Sequence, residues 1–230
     1  MSQLSQCDKE QVAAIVRRGV DRIMDRMYSE AGALPGEIEN HYGMCVYLSL
    51  LGVAALHKMG LGSAFVVGGT CHWPRLRPDQ DDGKPTTCTH FGFKWEENSL
   101  ADSLRKLQCE AGMLPEVHAW IVIPENQEIV DFSTGDFPAL CRKMIGKDWP
   151  GDLPPKFFWT GIEEALKPET PYIYAPISDA TKFVISSIAM MLTHNAIEHS
   201  EIESVRKEIE EAFGDKFKTN AESEDHTVHP

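Results

Sequence analysis

Three residues that lie far apart in the chain have the side-chain types needed for nucleophilic catalysis by a thiol. Cys45 lies near the start of a long apolar segment, and His118 and Asp131 lie in two later apolar segments. An imidazole can take the proton of a thiol, and a carboxylate can orient that imidazole. We therefore predict a catalytic triad of Cys45 as nucleophile, His118 as base and Asp131 as orienting acid.

The position of Cys45 favours the thiolate form. The segment 43–56 is apolar on almost all sides, which is typical of a buried helix. Asn40 or Gly43 would cap this helix, and the sequence does not decide between them. In both cases Cys45 lies in the first turn or just past it, where the helix dipole stabilises a negative charge.

His118 and Asp131 are predicted to lie on the two strands of a β-hairpin, whose register determines their geometry. If the turn is centred on residues 124–125, the two side chains are direct cross-strand neighbours with Cβ atoms about 5 Å apart. If it is centred on residues 125–126, Trp120 faces Asp131 and His118 is a diagonal neighbour. Both registers place His118 and Asp131 on one face, and the opposite face is the more hydrophobic one.

The periodicity of the chain predicts an α+β fold. Helices are predicted over residues 8–28, 43–58, 99–111, 178–192 and 200–213, with helical turns near 139–145 and 160–166. Strands are predicted over residues 63–70, continuing to 73, and over residues 89–95, with a polar loop at 74–87 between them. The chain then divides into a catalytic domain (1–177, with an insertion at about 70–112), a C-terminal helical extension (178–214) and a disordered tail (215–230).

Composition and charge exclude several classes of partner. The chain has 230 residues and is 42% hydrophobic, which suits a globular protein with a sizeable core. A formal net charge of −13 argues against nucleic acid as a partner. No apolar run has membrane-spanning length, and the N-terminus lacks a signal-peptide pattern, so we expect a cytoplasmic protein without a membrane partner. The six scattered cysteines are expected to be reduced.

The order of these motifs resembles the transglutaminase-like superfamily. The chain has a cysteine on a buried helix, a Gly-Leu-Gly break, a strand with Val-Val-Gly-Gly, His-Ala-Trp on one strand and Val-Asp on the next. The resemblance covers residues 42–135, interrupted by the insertion. It implies a papain-like fold in which N-terminal helices, including the nucleophile helix, pack on an antiparallel sheet, with extra helices at the C-terminus.

The resemblance also implies an activity. The superfamily includes transglutaminases, peptide N-glycanases, peptidases and amidases, with the related arylamine N-acetyltransferases. A member would act on a peptide, protein or small acyl substrate through a thioester acyl-enzyme, with Cys45, His118 and Asp131 as its triad. No cofactor is expected, and a homo-oligomer is compatible with the sequence.

Further residues are candidates for substrate or oxyanion contacts. His41 and Tyr42 precede the nucleophile and would act with the backbone N–H of Cys45, or would serve only as cap and packing residues. His72 and Trp73, in the insertion, are expected to line the substrate cleft, and Trp120 shares the face of the triad.

Two other interpretations remain open. One is a catalytically inactive transglutaminase-like module that binds a protein, in which Cys45 would have an ordinary thiol pKa of about 8.5. The other is a metal site built from Cys71, His72, Cys88 and His90, which are zinc-ligand types. Adjacent Cys71 and His72 would point to opposite faces of a strand, and the spacing matches no common zinc pattern, so no metal is predicted.

Overall fold

The computed structural model describes residues 4–32, 43–73, 91–93, 117–146, 148–149, 152–165, 167, 170 and 172–224. These residues form an α+β fold. The helices are α1 (Gln6–Glu30), α2 (Met44–Lys58), α3 (Phe137–Ile145), α4 (Ile162–Ala165), α5 (Ser178–Thr193) and α6 (His199–Glu224). The strands are β1 (Phe65–Trp73), β2 (Phe91–Phe93), β3 (His118–Ile123), β4 (Glu128–Asp131), β5 (Phe158–Gly161) and β6 (Ile173–Pro176). The predicted helix 99–111 and polar loop 74–87 lie outside the described residues.

Helix α2 is buried, as its lack of a polar face predicts. Gly43 is its N-cap, with a left-handed φ of 75° that glycine adopts without strain. Gly52 allows the helix to lie close to the sheet, because a Cβ there would be 2.6 Å from Ile121 Cδ1 and 2.6 Å from the Phe132 ring. Cys45 is thus held in the first turn of a helix that is packed tightly on β3.

The sheet is antiparallel, with the strand order β2-β1-β3-β4-β5 and β6 also paired with β1. Gly69 of β1 pairs with both His118 of β3 and Pro176 of β6, so these two strands flank opposite edges of β1. Cys71 pairs with Tyr174 of β6 on one edge of β1 and with Phe93 of β2 on the other. Strand β2 therefore lies on the same edge of β1 as β3, further along the strand. Strand β1 is therefore the centre of the sheet.

The hairpin of β3 and β4 adopts the second of the two registers considered. Ile121 pairs with Val130 and Ile123 pairs with Glu128, which centres the turn on residues 125–126. By the same register Trp120 faces Asp131, and His118 is its diagonal neighbour. The first register, with His118 and Asp131 as direct cross-strand neighbours, does not form, because a short 3₁₀ turn at Pro124–Asn126 sets the strand ends one residue further along.

The two faces of the sheet have different cores. Helices α1, α2, α5 and α6 cover one face, to which Ala119, Ile121 and Val130 contribute, as predicted. The other face carries an aromatic core that includes Phe93, Trp120 and Phe137. The apolar side chains that β3 and β4 bury on the helical face alternate along the strands with His118 and Asp131. His118 and Asp131 therefore lie on the aromatic side.

The second glycine of the Val-Val-Gly-Gly segment is required by close packing. A Cβ on Gly69 would lie 2.2 Å from the backbone oxygen of Ala175 and 2.9 Å from Trp120 Cη2. Backbone oxygen cannot move aside without breaking the pairing of β6, so we expect Gly69→Ala to lower the free energy of unfolding by about 3 kcal/mol. Urea denaturation measures this change. Gly62→Ala is the matched control, since nothing lies within 4 Å of its added Cβ; equal midpoints for the two variants would contradict the packing argument.

The observed helices and strands differ from the prediction in three respects. Strands β5 and β6 lie in a proline-rich region where no strand was predicted, because their short segments show no clear alternation. Helix α1 begins two residues earlier than predicted, at Gln6, after a capping box of Ser5 and Asp8. Helix α6 continues past Gly214 to Glu224 instead of ending at Phe213. Within the described residues, no helix combines the length and the apolar character needed to cross a bilayer.

Candidate active site

The structure brings His118 and Asp131 into direct contact on the aromatic face of the sheet. His118 Nε2 lies 2.7 Å from Asp131 Oδ2. Both side chains are buried, with relative exposures of 0% and 1%. A buried hydrogen bond of this length fixes the orientation of the ring and leaves Nδ1 for another partner.

Asp131 is held by donors on both of its oxygens. Oδ1 accepts hydrogen bonds from the Ser133 backbone N–H at 2.8 Å and from the Ser133 hydroxyl at 2.6 Å. Oδ2 accepts a second hydrogen bond, from the Tyr174 hydroxyl at 2.7 Å. Tyr174 belongs to β6, a strand that was not predicted, and its role was therefore missed. Only the closeness of Ser133 to Asp131 in sequence could have indicated one of these donors.

The charge state of the pair follows from these contacts. Burial by itself raises the pKa of Asp131, but the His118 charge and the hydrogen bonds from His118 and Ser133 lower it below its ordinary value. Burial likewise opposes the charged form of His118, but negative charge at Cys71 and Asp131 and contacts with Asp131 and Cys45 raise its pKa well above the ordinary value. Folding therefore favours the imidazolium–carboxylate form of the pair. Burial also raises the pKa of Tyr174, so its hydroxyl remains a donor.

Cys45 lies near the start of the strand that carries His118. Its thiol donates to the backbone oxygen of Val117, the residue before His118, at 3.4 Å. His118 Nδ1 is buried and has no hydrogen-bond partner among the described residues. The Cys45 side chain is nevertheless near enough to contribute to the raised pKa of His118. The structure therefore joins His118 to Asp131 through Nε2 and places Cys45 near the ring, and the role of Cys45 as nucleophile stays a prediction.

A second thiol, which was not predicted here, lies beside the same pair. Cys71 Sγ, a His118 ring nitrogen and an Asp131 oxygen all lie within 4.8 Å of one another. Cys71 is 1% exposed, and burial raises the pKa of its thiol. It was assigned to a different cluster, with His72, Cys88 and His90. Cys88 and His90 lie outside the described residues, and Cys71 contacts His118 because β1 passes directly beside β3.

Aromatic rings enclose His118. Phe93 stacks on the imidazole with centroids 4.9 Å apart, and Phe137 meets it edge-on at 5.4 Å. Trp120 lies at 5.8 Å and Tyr174 at 6.1 Å. These contacts leave the ring no room to rotate away from Asp131, so the geometry of the pair is fixed by packing as well as by hydrogen bonds.

The other candidate residues are placed as follows. Trp120 is buried, with 1% exposure, and packs against His118 and Tyr174 instead of lining an open cleft. His72 is half-buried on β1. His41, Tyr42 and the side chain of Trp73 lie outside the described residues. Cys45 is buried as well, with 7% exposure against 0% for His118 and 1% for Asp131.

A separate groove of about 900 Å³ opens between α1 and the loops that follow β4 and precede β5. Arg17 crosses it and donates to Asp136 at 2.9 Å and to the Phe132 backbone oxygen at 3.2 Å. None of the three triad side chains lines this groove. It is therefore distinct from the site where acyl chemistry would occur.

Comparison with known proteins adds little to this geometry. No protein-family model and no curated protein matches the chain. A crystal structure of a genomics target is similar with a TM-score of 0.47 and 13% sequence identity, covering 89% of this chain and 79% of that one. Similarity at this level carries no argument about family or function.

Proposed function

We propose that this protein is a cysteine-dependent acyl-transfer enzyme with a transglutaminase-like, papain-like fold. The observation that carries the proposal is the arrangement around one imidazole: Nε2 is bonded to Asp131 at 2.7 Å, the buried Nδ1 has no hydrogen-bond partner among the described residues, and Cys45 is near enough to raise the pKa of the ring. A histidine held in this way can accept a thiol proton on one nitrogen while the carboxylate stabilises the resulting imidazolium.

The reaction follows from these positions. In its neutral form, His118 takes the proton of the Cys45 thiol to give an imidazolium and a thiolate, and the sulfur then attacks the carbonyl carbon of an amide, ester or thioester. A C–S bond forms, the bond to the leaving group breaks, and the imidazolium returns its proton to that group. Water or an amine then attacks the thioester, His118 accepts the proton of the attacking group, and the Cys45 thiol is restored with release of an acid or an amide.

Of the two thiols beside His118, Cys45 is the better nucleophile. It lies in the first turn of α2, where the dipole favours thiolate, and it keeps 7% exposure. Cys71 lies in the middle of β1, is 1% exposed and has a pKa raised by burial. Both residues are buried, and Cys45 is the less buried of the two.

The proposal extends to substrate and location. The substrate is a peptide, a protein or a small acyl compound, and the acceptor is water or an amine. The described cysteines, Cys7, Cys45, Cys71 and Cys141, are free thiols, which suits a reducing cytoplasmic compartment. Neither a cofactor nor a metal takes part in this reaction sequence.

The kinetics of Cys45 alkylation by iodoacetamide test the pairing with His118. We expect His118→Ala to slow alkylation at least roughly tenfold near neutral pH, because no imidazole is then present to accept the thiol proton. Peptide mass spectrometry follows each cysteine separately. Cys7, which is exposed, is an internal control whose rate should not change. Unchanged alkylation of Cys45 would favour the inactive, protein-binding interpretation.

A further inference from the structure

Cys71 has no role in the proposed reaction, yet it completes a second cluster around His118. Its sulfur, a ring nitrogen of His118 and an oxygen of Asp131 lie within 4.8 Å of one another, and all three side chains are buried. Among the described residues, this is the one group of three or more histidine, cysteine or carboxylate side chains that lies close enough to share an ion.

The sheet itself produces this cluster. Gly69 pairs with His118, and Cys71, two residues further along β1, projects from the same face. Cys71 also pairs with Tyr174, whose hydroxyl reaches Asp131 Oδ2 at 2.7 Å. The three ligating groups therefore come from β1, β3 and β4, with a phenol from β6 beside them.

We propose that Cys71, His118 and Asp131 bind a thiophilic divalent cation of the Zn²⁺ type, and that occupancy switches off acyl transfer. Thiolate, imidazole and carboxylate are the ligand types that Zn²⁺ takes in proteins, and three protein ligands leave a fourth position for solvent or for Tyr174. Binding forms metal bonds to sulfur, nitrogen and oxygen. The protons of the Cys71 thiol and of the ligating nitrogen leave to solvent.

Charge balance supports a dication at this place. A thiolate and a carboxylate carry two negative charges, which a divalent ion neutralises. With a neutral imidazole as the third ligand, the metal-bound cluster has no net charge in the buried interior. The exchange has a cost, because the ion displaces the 2.7 Å hydrogen bond between His118 and Asp131. The same displacement is the reason for inhibition, since His118 then loses its orienting partner.

Cobalt binding tests the site without reference to activity. Titration of Co²⁺ into the Cys45→Ser variant should give a sulfur-to-cobalt charge-transfer absorption that saturates at one equivalent. The doubly substituted Cys45→Ser, Cys71→Ser protein should lack the band, whereas Cys45→Ser, Cys7→Ser should keep it, with circular dichroism confirming that all three are folded. Absence of the band in Cys45→Ser, or its persistence without Cys71, would overturn the proposed site.

The inhibitory effect rests on the proposed function and is tested separately. Zn²⁺ should slow thioester formation at Cys45, a chelator should reverse this, and Cys71→Ser should raise the inhibitory Zn²⁺ concentration roughly 10–100-fold, as expected for loss of one ligand. Equal inhibition of the wild-type protein and Cys71→Ser would place the ion on Cys45 and overturn the switch. If the protein has no acyl-transfer activity, the cobalt spectra still decide whether the metal binds.

Discussion

Replacing Cys45 with alanine is expected to abolish acyl-enzyme formation and to reduce acyl transfer by roughly 10⁴–10⁶-fold, the usual effect of removing a catalytic nucleophile. The substitution removes one sulfur atom from a small buried site, so the cost in stability is about 1 kcal/mol. Incubation with small ester and thioester substrates followed by intact-protein mass spectrometry shows whether an acyl adduct forms. Thermal unfolding shows that the variant is folded.

Cys7→Ala is the matched control for this experiment, because Cys7 is a free, exposed thiol on α1. It should leave both the adduct and the turnover unchanged. An acyl adduct on Cys71 in the Cys45→Ala variant would contradict the assignment of Cys45 and show that Cys71 can act as the nucleophile. The role of the His118–Asp131 pair would be unchanged.

Asp131→Asn should have the largest effect on stability, a loss of about 3–5 kcal/mol, typical of breaking a buried charge pair. Four donors from three residues, His118, Ser133 and Tyr174, converge on this carboxylate. An asparagine amide replaces one acceptor with a further donor, so at least one buried group loses its partner. His118 also loses its orientation, and we expect acyl transfer to fall roughly 10²–10⁴-fold.

The difference in stability between wild type and Asp131→Asn should depend on pH. Because folding lowers the pKa of Asp131, its contribution is complete above the ordinary pKa of 3.8 and is lost as pH falls through the lowered value. Folding raises the pKa of His118, so the contribution of that residue is complete below the ordinary pKa of 6.5 and is lost as pH rises through the raised value. The difference should be greatest between these two ordinary values.

Urea denaturation across this pH range measures the effect. Asp148→Asn is the control, since the pair that Asp148 forms with Arg142 is exposed and should contribute nothing measurable. A pH-independent difference for Asp131→Asn would show that the carboxylate contributes by shape alone and not by charge.

The hairpin that carries His118 and Asp131 was predictable because two apolar strands flank a short turn that contains Pro124. Alternation then separates the apolar residues Ala119, Ile121 and Val130 from the polar face. Sequence left two registers, and only the 3₁₀ turn decided between them. The buried helix of Cys45 was predictable for a similar reason, since it has no polar face at all.

Cys71 and Tyr174 could not be assigned from the sequence. Their places depend on which strands are neighbours in the sheet, and strand order follows from long-range packing that local periodicity does not encode. Cys71 looked like half of a hairpin metal cluster because its neighbour along the chain is His72. In the sheet, its neighbours are Phe93 and Tyr174.

The pairing of β6 with the centre of the sheet sets a lower limit on the length of an active fragment. A chain cut after Gly135 would contain Cys45, His118 and Asp131 but would remove the phenol that donates to Oδ2. The same cut would remove Thr181, whose hydroxyl bonds to both backbone groups of Gly68. Limited proteolysis should therefore leave α2, β1, β3, β4, β6 and α5 protected together, and a recombinant version that lacks β6 or α5 is expected to be insoluble or inert.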